Sequence, residues 1–214
     1  MKCSGLGCTR TVAAMGTVLL LVGSALAGPI AGGVDAMPGF FGTVYYDYTA
    51  AGDTLTAQVD YAVYGRGDYP GVDPSSGADY AYVYQIFNDA ASTVGIEWFS
   101  VGLESGAIAR NPGEDESVSA PGQSGGLSPW MARVGSSSVS WFFDPGVPVG
   151  GYSTTLLFTS PYRPTWKSGA LANGGLPTPG SGLLPSPTPE PATMALLALG
   201  GVSLLARRRR GLKK

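Results

Sequence analysis

The side chains that most often carry chemistry are scarce in this chain. It has no histidine, and its two cysteines, Cys3 and Cys8, stand at the N-terminus. Ser-His-Asp and Cys-His nucleophilic catalysis are therefore excluded, as are zinc sites of the usual His/Cys kind. Paired carboxylates remain. In glycoside hydrolysis one carboxylic acid protonates the leaving oxygen while the other attacks or activates water. Glu97 and Glu104, flanking Trp98 and Phe99, are the candidates. Exposed carboxylates at a strand end and a turn explain both residues equally well, so no catalytic residue is assigned.

Two acidic stretches have the right atoms for a cation. Asp68, Asp73 and Asp79 share one loop with Ser75 and Ser76, and Glu114-Asp115-Glu116 forms a second knot. Calcium takes several oxygen ligands, which such loops supply. Neither run has the spacing of a D-x-D-x-D-G loop, so solvated loop charge is the expectation, with no metal and no cofactor. Arg66-Gly67-Asp68 spells an adhesion tripeptide, for which chance is the better account in a chain rich in Gly and Asp. Aromatic residues are dense: Tyr45, Tyr46, Tyr48, Tyr61, Tyr64, Tyr80, Tyr82 and Tyr84, then Trp98, Trp130, Trp141 and Trp166. Exposed rings of this kind stack on sugars, but tyrosines at period two more often pack across strands. Trp130, which follows a long Gly/Ser loop, is the best candidate for a surface platform.

The elements that position these residues read as strands. Side chains alternate across a strand, so Leu55, Ala57, Val59, Tyr61 and Val63 within Thr54 to Tyr64 mark a half-buried one. Thr43 to Thr49 aligns Val44, Tyr46 and Tyr48, with Ala50-Ala51-Gly52-Asp53 as the hairpin turn. Asp79 to Asn88 aligns Tyr80, Tyr82, Tyr84 and Ile86. Thr93 to Val101 aligns Val94, Ile96 and Trp98. Trp130 to Val134, Ser138 to Phe143 and Gly151 to Thr159 follow, the last with Tyr152, Thr154, Leu156 and Phe158 on one side. Gly65 to Ala78 and Arg110 to Pro129 read as long loops, the places where a ligand site is sought first. No amphipathic helix is evident in the body. The fold class expected is all-β: a single antiparallel β-sandwich of jelly-roll or immunoglobulin-like type, between which periodicity does not choose.

The two ends are of different character. Lys2 and Arg10 precede an apolar run from Val12 to Val22, and Ala25 and Ala27 then form an A-x-A site before Gly28. This is the order of a cleaved secretory signal peptide, residues 1–27, removed by signal peptidase. A cut after Ala31 is an alternative, as is an uncleaved anchor, although the run falls short of the roughly 20 residues of a spanning helix. Both cysteines lie in this segment, so the mature chain has no disulfide. At the other end, residues 173–188 are rich in Pro, Gly and Ser and read as a linker after a domain spanning 28–172. Ala192 to Ala206 is then an apolar stretch of 15 residues, followed by Arg207, Arg208, Arg209 and Arg210. As a helix it would be about 22 Å long, a short membrane span with its arginines held on the cytoplasmic side and the body outward. Between residues 28 and 188 there are 14 acidic and 5 basic side chains, a net charge of −9. Such a surface repels phosphate backbones and argues against nucleic-acid binding.

At the outer edge of the apolar stretch stands Pro189-Glu190-Pro191. This tripeptide, the short apolar segment and the arginine cluster, in that order at the C-terminus and paired with a signal peptide, resemble the PEP-CTERM sorting signal of bacterial exported proteins. The resemblance covers residues 189–214. It implies processing by a membrane protease of the exosortase type, transient anchoring in the inner membrane, and passage to the envelope or extracellular matrix, often beside exopolysaccharide. The function expected is thus a non-catalytic surface or matrix protein. A carbohydrate-binding module and a secreted glycan-active enzyme are the alternatives.

Overall fold

The computed structural model describes residue 30 and residues 35–50, 52–117, 119–173, 176–177 and 182–189. Those residues form strands β1 (Ala36–Ala50), β2 (Asp53–Tyr64), β3 (Tyr80–Asn88), β4 (Ile96–Gly102), β5 (Arg110–Asp115), β6 (Met131–Val134), β7 (Ser138–Val147), β8 (Thr155–Ser160), β9 (Pro164–Asn173), β10 (Leu176–Pro177) and β11 (Leu183–Pro187). One sheet has the order β1-β2-β3-β8-β5; the other runs β10-β9-β4-β7-β6, with β11 also paired to β9. Among the described residues these strands pair antiparallel throughout.

The alternation expected for β2 places Leu55, Ala57, Val59, Tyr61 and Val63 in the core between the sheets. Tyr82, Tyr84 and Ile86 of β3 and Leu156 and Phe158 of β8 join them from the same sheet. Facing them are Phe99, Val101, Val139, Trp141 and Phe143. Tyr84 sits at the centre, with ring centroids 5.7 Å from Phe99 and 6.0 Å from Trp141. Rings packed edge-on or offset at such distances gain beyond the burial of their area. The Trp141 indole N–H donates to the Gly113 carbonyl at 2.8 Å, so its polar atom is satisfied.

The opposite face of β2 is not simply solvated. Beyond Val59 both of its faces are buried. The β2–β3 loop brings Tyr69 over the outside of the sheet, where Tyr64, Ala81, Val83, Leu157 and Ile30 form a second, smaller core. One expected face is broken. Ile96 is buried and so are Phe99 and Val101, while Trp98 is only partly so. An irregularity in the β4–β7 register between Ile96 and Trp98 changes the phase of the strand, which moves every later side chain to the other face.

Within the expected linker, the described residues include two short strands, β10 and β11. β11 lies within residues 173–188, pairs with β9 from Leu183↔Ser168 to Pro187↔Pro164, and buries Leu184 completely. β9 itself extends through the expected boundary at Ala172 to Asn173. The prolines are compatible with a strand because of their positions. The Gly169 N–H donates to the Gly182 carbonyl and the Thr188 N–H to the Arg163 carbonyl, so the even-numbered residues of β11 face β9. Pro185 and Pro187 fall on the alternate positions, where an N–H would have no ladder partner. The outward carbonyl of Pro185 accepts a hydrogen bond from the Tyr84 hydroxyl. Two glycines seat this strand: a Cβ at Gly182 would lie 2.1 Å from Val44 Cγ1, and one at Gly169 2.4 Å from Leu184 Cδ1. The expected loop from Arg110 to Pro129 likewise begins with a strand, β5, paired to β8.

Candidate functional site

The C-terminal segment leaves the two-sheet body at a defined point. β11 ends beside Pro164, the first residue of β9, at the end of the molecule that also carries the β8–β9 turn, the β4–β5 segment and the β6–β7 turn. Thr188 is held by the Arg163 carbonyl at 2.9 Å. A Cβ at Gly106 would lie 3.6 Å from Pro189 Cγ, ordinary van der Waals contact, so Pro189 rests against the β4–β5 segment. Ser186 Oγ donates to the Gly102 carbonyl at 2.6 Å and fastens the strand to β4 as well. Of the tripeptide, Pro189 is therefore seated on the body. Glu190, Pro191 and Arg207, Arg208, Arg209 and Arg210 lie outside the described residues, as do Ala25, Ala27 and the apolar segment Ala192 to Ala206. Among the described residues no helix is long and apolar enough to cross a membrane.

Residues 187–210 match the family profile described as the PEP-CTERM protein-sorting motif. The chain carries a PEP-CTERM sorting motif. Such a motif implies that the protein is exported and sorted by an exosortase-type system. The match begins at Pro187, the last residue of β11, so the PEP-CTERM segment starts inside the folded body and not after a linker. No curated protein and no solved structure gave a significant match.

The other candidates are placed apart. Glu97 is the second residue of β4 and Glu104 lies two residues beyond its last, Gly102. The strand from Glu97 to Gly102 alone spans about 17 Å, beyond the roughly 5–10 Å at which two carboxylates share one glycosidic bond. Glu104 is ion-paired to Lys167. Asp73 accepts from the Ser75 N–H and hydroxyl at 2.7 and 2.8 Å and from the Gly77 N–H at 2.9 Å, which closes the loop on itself. Asp79 pairs with Arg110 at 3.6 Å. No group of three or more acidic side chains placed to share a cation occurs among the described residues. Arg66 of the Arg-Gly-Asp run donates to the Pro161 carbonyl at 2.8 Å and lies over the Tyr80 ring.

The three neighbours Glu114, Asp115 and Glu116 diverge to three partners. Glu114 accepts from Thr154 Oγ1 at 2.7 Å, Glu116 from Ser128 Oγ at 2.6 Å, and Asp115 from the Tyr69 hydroxyl and the Val72 N–H, both at 2.8 Å. Loss of solvent around Asp115 pushes its carboxyl up. The hydrogen bonds from Ser117, Tyr69 and Val72 outweigh that and hold it below the ordinary carboxylate range. Burial, with the Asp115 hydrogen bond and charge added, pushes the Tyr69 hydroxyl far up. Sequence reasoning missed this pair, because nothing local links Tyr69 to a residue so far along the chain. Beside it opens a cleft of about 360 Å³ lined by Asp115, Glu116, Ser117, Gln123, Thr154 and Thr155. Gln85 pins its far wall, donating to the carbonyls of Gln123 and Ser153 and accepting from the Gln123 N–H.

Of the aromatics, Tyr46, Tyr61, Tyr64, Tyr82, Tyr84 and Trp141 are buried, whereas Tyr45, Trp130 and Trp166 are exposed. Trp130 stands 6.4 Å from Phe142 at an interplanar angle of 56°, and Arg133 covers the Phe142 ring.

Proposed function

We propose that this is a non-catalytic surface or extracellular-matrix protein that reaches its place by its tail. Signal peptidase removes residues 1–27. The segment Ala192 to Ala206 holds the chain in the inner membrane, with Arg207, Arg208, Arg209 and Arg210 as the cytoplasmic stop. An exosortase-type protease acts at Pro189-Glu190-Pro191, and the β-domain passes to the envelope, in the company of exopolysaccharide. The observation that carries the reading is the sorting motif at residues 187–210. The chemistry fits it: two prolines deny the chain helical hydrogen bonding beside the bilayer and leave it extended, the form a protease cleft grips. Glu190→Ala should leave export intact but trap full-length protein in the inner membrane. Cell fractionation with tags on both sides of the tripeptide reads this directly. A Glu190→Ala protein processed and delivered like the parent contradicts the assignment. Deleting Arg207 to Arg210 should instead weaken retention and release unprocessed chain.

A carbohydrate-binding role in the same location is the second reading. Exposed Trp130, backed by Phe142 and Arg133, is the feature that favours it. The wide spacing of Glu97 and Glu104 along the chain supports the non-catalytic reading over a glycan-active enzyme.

A further inference from the structure

The tether between the folded body and the apolar segment is very short. Thr188 and Pro189 are seated on the domain. From Pro189 to Ala192 only Glu190 and Pro191 intervene, and three residue steps of fully extended chain reach about 11 Å at most. The headgroup layer on one side of a bilayer already takes up about 6 Å. Once the apolar segment enters the hydrocarbon, the end of the sandwich from which the tail leaves has almost nowhere to be except on the headgroups.

The charge distribution fits that placement. All five basic residues between residues 28 and 188 lie in the exit half. Arg66 is in the β2–β3 loop, Arg110 opens β5, Arg163 is in the β8–β9 turn, and Lys167 and Arg133 lie near the exit ends of β9 and β6. Asp35, Asp60, Asp68, Asp73, Asp79 and Glu104 share this half, with Asp79 paired to Arg110 and Glu104 to Lys167, so five bases stand against six acids and the half is nearly neutral. Among the described residues Arg66, Arg133 and Arg163 carry no ion pair. The other eight acids, Asp47, Asp53, Asp89, Glu97, Asp144 and the Glu114-Asp115-Glu116 run, load the opposite half. Exposed apolar side chains also stand in the exit half: Phe41, Ile108, Val134 and Trp166. Arginine with exposed aromatic and aliphatic groups is the composition that settles at a bilayer interface.

We propose that, while the tail anchors the protein, the exit end of the β-sandwich lies against the lipid headgroups, with Arg163 meeting the phosphates and the acidic half held away from them. This rests on the anchored-tail reading above. The lipid surface then orients the domain upright over its own processing site, with the tripeptide confined between body and bilayer.

The test uses the full chain in vesicles, with Cys3 and Cys8 replaced by serine and one fluorescent label on Ser105→Cys at the exit end or on Ala90→Cys in the β3–β4 loop at the far end. Both positions are exposed. A strand as long as β2, at 12 residues, separates the two ends by about 40 Å. Headgroup-nitroxide lipids in phosphatidylglycerol-containing vesicles should quench the Ser105 label at least about fivefold more than the Ala90 label, since lipid contacts are confined to one end. Arg163→Glu should reduce the Ser105 quenching with flotation unchanged, and Arg163→Lys should restore it. Equal quenching at both positions in floating protein overturns the proposal. An Arg163→Glu chain quenched like the parent overturns the role of Arg163, and quenching at Ser105 only when the membrane protease is present assigns the surface to protein, not lipid. Failure of the chain to float at all defeats the anchored-tail reading itself, a separate and recognisable outcome.

Discussion

The two ends of this pair of antiparallel sheets are built for different tasks. At the exit end the chain is fastened: β11 is hydrogen-bonded to β9, Ser186 to Gly102 and Tyr84 to Pro185. At the far end the β5–β6 segment is long and polar, acidic groups collect, and a cleft opens beside Asp115. Backbone and side-chain hydrogen bonds at the first end satisfy groups that burial would otherwise leave costly. At the second they order a loop whose surface remains in water. The difference teaches where this molecule is constrained by its tail and where it is free to meet something else.

The comparison breaks first if β11 is dispensable. A chain ending at Ala172 loses a buried leucine and the acceptor of a buried tyrosine hydroxyl. Each is worth about 1–5 kcal/mol, and the sum is comparable with the whole stability of a small domain. Loss of the cooperative transition is the expected result. Leu184→Ala alone should cost about 2–5 kcal/mol in chemical denaturation.

Asp115 tests the far end. Its folded-state pKa lies below its unfolded value, so its contribution is complete above about pH 4 and is lost as pH falls through the depressed folded value. Asp115→Asn should cost about 1–3 kcal/mol at neutral pH by leaving Tyr69 and Val72 poorly partnered, and should flatten that acid limb of the stability profile.

The tyrosines set an alkaline limit. Burial, and then the charge of Asp35, push Tyr64 up to about 12. Burial raises Tyr46, Tyr82 and Tyr84 further still. A raised folded pKa means that the contribution is whole below the free-tyrosine value near pH 10 and is lost as pH rises above it. Unfolding monitored by tyrosine absorbance should set in above about pH 10. The smallest effect belongs to Trp130→Ala. The side chain is exposed, so stability should move by no more than about 0.5 kcal/mol, while any binding of soluble polysaccharide should fall.

Much of the sheet was legible because burial on one face writes a period of two, as in β2 and β3. Four strands were not: β5, β9, the two-residue β10 and β11. β5 reads Arg-Asn-Pro-Gly-Glu-Asp, a turn composition, and is a strand because β8 offers it an edge with a register shift. β9 has few branched side chains and carries Gly169 at a crowded crossing. β11 has prolines at two alternate positions, which local rules count against a strand and which the geometry of an edge permits. The sorting tail was legible for the opposite reason: it is a linear signal whose elements follow one another along the chain. The Tyr69–Asp115 pair and the Gln85 anchor depend on tertiary placement and leave no local trace.

The most direct test of the account is the intact mass of the protein recovered from the cell surface or matrix. The account expects a chain that begins near Gly28 and ends between Thr188 and Ala192, with β11 retained and the arginine cluster gone. A surface form that still carries Arg207 to Arg210, or one cut upstream of Leu183, contradicts it.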